Sequence, residues 1–162
     1  NLLNAAPLCL LVVAGWSPVR GDEMRLAWLV GGVAAGFMFG ASTLKDFADM
    51  EADENAGVRS LPSIYGPDRA TQLISPWLVL SFVPLVLLTF VPDLFAFSHR
   101  VFDRLLLGLF AALLTSWGIT ISLMIWKAAK EFEPGKTHPS QRQAALLLAF
   151  YFVGLIAIRS VS

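Results

Sequence analysis

Along this chain, long uninterrupted apolar runs alternate with short charged or turn-forming segments. Five runs stand out, over 2–19, 26–44, 73–91, 105–126 and 144–158. The first closes at Ser17-Pro18 and the charged Arg20-Gly21-Asp22-Glu23, and the third at Pro92-Asp93. The fourth is entered from His99-Arg100 and left at Lys127, and the fifth stops at Arg159. Crossing the hydrocarbon layer takes about 20 predominantly apolar residues, with a range of about 17–25. The first four runs reach that length, and the fifth does so when Gln143 and Arg159 snorkel to the interfaces. No apolar/polar alternation marks a strand, and an open sheet cannot satisfy its backbone in lipid. The pattern predicts an all-α, polytopic bundle of five transmembrane helices in one domain over 1–162.

Composition agrees. The 162 residues are 56% hydrophobic and only 15% charged, against about 25% charged in an ordinary soluble domain. Twelve basic and 12 acidic residues cancel, so no nucleic-acid partner is indicated. Cys9 is the single cysteine and supports no disulfide framework. With five spans, 45–70 and 127–142 share one side, carrying Lys45, Arg59, Arg69, Lys127, Lys130, Lys136 and Arg142. The other side has Arg20, Arg25, Arg100, Arg104 and Arg159. This bias puts the 45–70 loop on the cytoplasmic side of the cell (inner) membrane. Gly32, Gly36 and Gly40 form a stripe in the second span. It serves close helix approach or leaves room for a lipid-like ligand.

Charge changes the picture most directly after that span, in 44–62. If the helix continues through Glu54, Asp46, Asp49 and Asp53 fall at i, i+3 and i+7, on one face. Gly57 then offers a left-handed cap, and Pro62 stops the helix from resuming at once. Clustered carboxylates repel one another, and a hard divalent cation relieves this. Mg²⁺ takes oxygen ligands, often one or two carboxylates plus substrate phosphates and waters. Lys45 and Arg59 flank the cluster as candidate diphosphate contacts, the arginine in bidentate fashion. The plainer alternative is an acidic helix end solvated in a loop.

The run Lys45-Asp46-Phe47-Ala48-Asp49-Met50-Glu51-Ala52-Asp53, followed by Gly57-Val58-Arg59-Ser60-Leu61-Pro62 and Gly66, resembles the second aspartate-rich motif of the UbiA-type prenyltransferase superfamily. That motif reads D-x-x-x-D-x-x-x-G, then a basic residue, a hydroxyl residue and often Leu-Pro. Asp49, Asp53, Gly57, Arg59, Ser60, Leu61 and Pro62 stand at those positions. The resemblance implies a nine-helix transmembrane fold, with these five spans as helices five to nine. The chain would then be the C-terminal half, and a first motif of N-D-x-x-D type would precede Asn1. It implies Mg²⁺-dependent transfer of a polyprenyl group from an isoprenyl diphosphate to a lipophilic acceptor within the lipid bilayer. Acceptors open to it are an aromatic ring, a tetrapyrrole or a glycerol phosphate, and no feature of this half discriminates among them. By the same resemblance Asp49 and Asp53 hold Mg²⁺, with Asp46 either joining the metal shell or pairing with a basic residue. The isolated half is expected to be inactive. Alternatives are a terpene cyclase of the same fold and a cation-binding membrane transporter segment.

Other positions are open to two uses. Lys127, Lys130 and Lys136 either set topology or draw in the anionic diphosphate. Trp117, unlike the tryptophans near span ends, sits mid-span, where it packs helices or lines a prenyl-chain cavity. Ser60 and Tyr65 touch substrate or order the loop, and His99 and His138 lack metal-ligand spacing to a partner.

Overall fold

The computed structural model describes residues 2–15, 22–91, 101–128 and 138–161, and their regular structure is entirely helical. The order is α1 (Leu2–Gly15), α2 (Asp22–Asn55), α3 (Leu61–Tyr65), α4 (Pro67–Leu80), α5 (Val83–Phe90), α6 (Val101–Ala128) and α7 (Pro139–Val161). Among the described residues, four helical stretches are long and apolar enough to cross a membrane: Met24–Asn55, Pro67–Phe90, Asp103–Lys127 and Pro139–Ile158. The expected first span appears as the 14-residue α1, about 21 Å long at about 1.5 Å per residue. Residues 16–21, which would extend it, lie outside the described residues, as do His99, Lys130 and Lys136.

α2 is the axis of the bundle and packs on α1, α4 and α7. Small residues set the approach distances, as in helix pairs that gain no hydrophobic drive from lipid. A Cβ at Gly31 would lie 3.0 Å from the Cys9 carbonyl oxygen and sulfur. At Gly36 it would lie 2.8 Å from Ser81 Oγ, and at Gly40 3.2 Å from the Ile74 carbonyl. Gly118 of α6 lets the Leu78 backbone of α4 come closer still. An aromatic core forms where these helices meet, with Phe37 and Phe82 rings 5.4 Å apart and Phe82 and Tyr151 rings 6.2 Å apart. The Tyr151 hydroxyl, fully buried, donates to the Val30 carbonyl at 2.9 Å. Trp117 is a packing residue here: its ring lies 5.9 Å from that of Phe150, and its Nε1 donates to Gln143 Oε1 at 2.8 Å.

Two features differ from the sequence reading. The span expected over 73–91 begins at Pro67 and is broken at Ser81-Phe82. Pro84 has no N–H for the Leu80 carbonyl four residues earlier, so a continuous α-helical ladder is impossible there. The chain also resumes helix at Leu61, with Pro62 in its first turn rather than stopping it, because proline is tolerated there, where its missing N–H has no intrahelical partner.

Candidate functional site

With 34 residues, α2 is about 51 Å long at about 1.5 Å per residue, far beyond the roughly 30 Å hydrocarbon layer. Its acidic end is therefore an overhang beyond the packed spans. Phe47 and Ala48 are buried on one flank, and Asp46, Asp49 and Asp53 lie on the other, within an arc of about 60° at 3.6 residues per turn. All three carboxylates are half-buried, whereas Lys45 and Arg59 are exposed. Lys45 Nζ stands 3.9 Å from Asp49 Oδ2, with the lysine side chain 81% exposed. A pair that long and that wet contributes little. Asp46 has an interaction of its own.

The spacing from Asp53 to Gly57 has a backbone reason. The Val58 N–H donates to the Asp53 carbonyl at 2.8 Å, and the Gly57 N–H to the Glu54 carbonyl at 3.2 Å. These are the two crossed bonds of a Schellman turn, which needs a left-handed residue at the position of Gly57; its φ is +69°. The motif glycine thus ends the helix one turn after the second carboxylate. Ser60 then orders the next turn: its N–H donates to Ser63 Oγ at 2.9 Å. Gly66, also left-handed at φ +77°, turns the chain into α4. Tyr65 is half-exposed on this loop.

Electrostatically the overhang is strongly acidic. Asp46, Asp49, Glu51, Asp53 and Glu54 crowd the C-terminal turns of α2, and no basic residue occupies its last turn. That end of a helix already carries partial negative charge. A cation is the natural complement. Among the described residues no group of three or more His, Cys, Asp and Glu converges into a metal cage. The donor set of Asp49 and Asp53, one turn apart, nevertheless fits Mg²⁺, which usually takes one or two carboxylates and fills its other positions with water and phosphate oxygens.

Apolar cavities adjoin α2. A groove of about 930 Å³ runs between α2 and the broken α4–α5 pair, walled by Trp28, Gly32, Val33, Leu73, Trp77 and Leu80. The glycine stripe therefore divides. Gly36 and Gly40 close on α4, but nothing lies within 4 Å of where a Gly32 Cβ would stand, so Gly32 opens the groove. A slot of about 410 Å³ lies between α2 and α7, with Ser42, Lys45 and Gln141 as its polar members. Gln141 was not singled out from sequence. Its amide Nε2 donates to the Leu44 carbonyl of α2 at 2.9 Å, across 97 residues of chain. The Ser140-Gln141 pair after His138-Pro139 is a helix-start signal, but the reach to α2 has no signature in the sequence. The sequence reading also passed over Asp103, buried in the first turn of α6 with Oδ2 unpartnered among the described residues. A carboxylate is favoured by the dipole there.

The fold and the site define a multi-pass integral membrane protein, an all-helical bundle with one long helix delivering an acidic face to its edge. The chain belongs to the UbiA prenyltransferase family, whose model matches residues 1–150. At the level of the family this makes it an intramembrane prenyltransferase, a class that generally depends on a divalent metal and uses isoprenyl diphosphates with lipophilic acceptors. Neither a curated protein nor a solved structure matches the chain.

Proposed function

We propose that this chain supplies one carboxylate face of a Mg²⁺-dependent prenyltransferase that moves a polyprenyl group from an isoprenyl diphosphate to a lipophilic acceptor. The observation that carries the reading is the continuation of α2 through Asn55, which puts Asp49 and Asp53 on one flank of a helix just beyond its packed length. In this reading Asp49 and Asp53 are the metal-holding carboxylates, and Lys45 and Arg59 bind diphosphate oxygens from either side of them. Bound Mg²⁺ supplies charge neutralisation for the departing diphosphate. The residues of the chain orient that diphosphate, and the apolar walls beside α2 hold the isoprenoid and exclude water that would quench an allylic cation. Gly32 leaves space for such a chain. The loop 45–70 faces the cytoplasm of the cell's inner membrane.

A transporter reading is less well supported. Transport sites sit on broken helices near the midplane; the break at Ser81-Phe82 is packed in the apolar core, and the carboxylates lie on a different, unbroken helix. The deciding experiment uses the full-length protein in lipid. Asp49→Asn and Asp53→Asn should each abolish Mg²⁺-dependent diphosphate release from an isoprenyl diphosphate, and near-normal turnover in either would defeat the assignment. Product analysis with the diphosphate alone separates transfer from cyclisation.

A further inference from the structure

We infer that Gln141 is a positioning residue for the carboxylate face of α2, acting as a clasp between the start of α7 and the base of the overhang; this rests on the metal-binding role proposed for Asp49 and Asp53. Three observations meet at this residue. First, its amide Nε2 donates to the Leu44 carbonyl at 2.9 Å, at the start of the segment that carries the carboxylates. Leu44 and Thr43 are fully buried, while Lys45, the next residue, is exposed. Second, the amide is fixed in orientation. The His138 N–H donates to Gln141 Oε1 at 3.1 Å, which assigns oxygen to one end of the amide and leaves the nitrogen to face α2. His138 in turn is held by Ser140, whose hydroxyl lies 2.7 Å from His138 Nδ1 and whose side chain is fully buried. Third, Gln141 and Lys45 border the same slot.

The clasp matters because of leverage. Asp49 lies about 7 Å and Asp53 about 13 Å along the helix beyond Leu44, at about 1.5 Å per residue. A small rotation of α2 at Leu44 sweeps both carboxylates through space. The apolar contacts of Phe47 and Ala48 resist separation of the overhang from the bundle but are not directional. The hydrogen bond from Gln141 is directional, and it grips the backbone rather than a side chain, so it fixes the rotation of the helix itself. The Leu44 carbonyl keeps its intrahelical donor without Gln141, so loss of the clasp leaves no orphaned buried acceptor and the fold should survive.

Gln141 has two jobs that substitutions can separate. Its Oε1 closes a capping box with the His138 N–H, and its Nε2 makes the clasp. Gln141→Glu keeps an acceptor for the cap but, when ionised, has no donor for Leu44. Gln141→Met removes both without adding charge, and His138→Ala removes the imidazole contacts to Ser140 at the helix start while leaving the Nε2 clasp in place. The test is a thermal-shift titration of the full-length protein with Mg²⁺ and inorganic diphosphate, paired with Mg²⁺-dependent turnover. Residues supporting metal ligands typically contribute about 10–100-fold in affinity. Acting through the helix, Gln141 should fall at the low end of that range. Gln141→Met and Gln141→Glu should both raise the Mg²⁺ requirement about tenfold, with turnover at saturating Mg²⁺ close to wild type. His138→Ala should lower thermal stability and leave the Mg²⁺ requirement unchanged. A Gln141→Glu protein with a wild-type Mg²⁺ requirement would reduce the residue to a helix cap and overturn the inference. So would a Gln141→Met protein that loses stability but titrates normally. Absence of any Mg²⁺-diphosphate stabilisation in the wild type would overturn instead the metal-binding reading on which the clasp depends.

Discussion

The two halves of α2 are built to opposite specifications. From Met24 to Leu44 the helix is apolar, carries glycines where α1 and α4 come close, and is gripped from several sides. From Lys45 to Asn55 it is acidic, has no basic residue in its last turn and keeps only one flank buried. The first half follows the rules for a packed transmembrane helix. The second breaks two of them at once, placing like charges one turn apart and negative charge at the negative end of a helix dipole. One continuous helix holds both because the packed half fixes the direction of the strained half. Such local conflict in an otherwise consistent sequence is the mark of a functional segment.

The largest effect that contrast predicts is a divergence of activity from stability at the overhang. Asp53→Asn should lower Mg²⁺-dependent turnover on the order of a thousandfold, since a catalytic metal supplies several kcal/mol and each ~1.4 kcal/mol is tenfold. The same change should stabilise the apo protein by about 0.3–1 kcal/mol, by removing a charge the dipole disfavours. Paired turnover and thermal-unfolding measurements in detergent check both signs, and a variant that loses stability along with activity would mean that Asp53 is structural. In the packed half the order reverses. Gly36→Leu drives a side chain into Ser81, where even a Cβ would lie 2.8 Å from the hydroxyl, and should destabilise by about 1–3 kcal/mol. Gly32→Leu, with open space at its Cβ, should leave unfolding unchanged or slightly improved, while raising the KM for a long-chain isoprenyl diphosphate. Equal destabilisation by the two variants would erase the distinction between packing glycine and groove glycine.

Legibility from sequence follows the same division. The spans were readable because length and apolarity are sufficient causes of a transmembrane helix. The acidic face was readable because Asp46, Asp49 and Asp53 are near neighbours in one regular helix, where spacing dictates direction. Gly57 announced its left-handed turn by residue type. The break at Ser81-Phe82 was signalled by Pro84 but hidden by the apolarity of the run, which is blind to backbone hydrogen bonding. The division of the glycine stripe and the reach of Gln141 to Leu44 were not legible. Both depend on which helix lies opposite, a fact of tertiary packing that no local pattern encodes.

At the hinge between overhang and loop, Gly57→Ala should destabilise by about 1–2 kcal/mol, the strain of a left-handed backbone carrying a Cβ. The strain should appear as fraying of the last turn of α2, with faster amide exchange at Gly57 and Val58, and a weaker Mg²⁺ response because Asp53 is in that turn. Exchange rates unchanged there would show that the turn is held by α3 and not by its own crossed bonds.

The smallest expected effect lies deepest in the packed half. Tyr151→Phe removes the hydroxyl that donates to the Val30 carbonyl at 2.9 Å, yet keeps the ring that stacks near Phe82 and Phe152. The Val30 carbonyl retains its intrahelical donor, so no acceptor is left bare. Interhelical hydrogen bonds of this kind in membrane bundles average about 0.6 kcal/mol, and the variant should unfold within that margin of wild type with undiminished turnover. A loss several times larger would mean that α2 and α7 are joined by polar bonds rather than by shape. In that case Gln141 and Tyr151 would be two rungs of one interhelical ladder, and the line between the packed half and the acidic half would have to be drawn closer to Asn55.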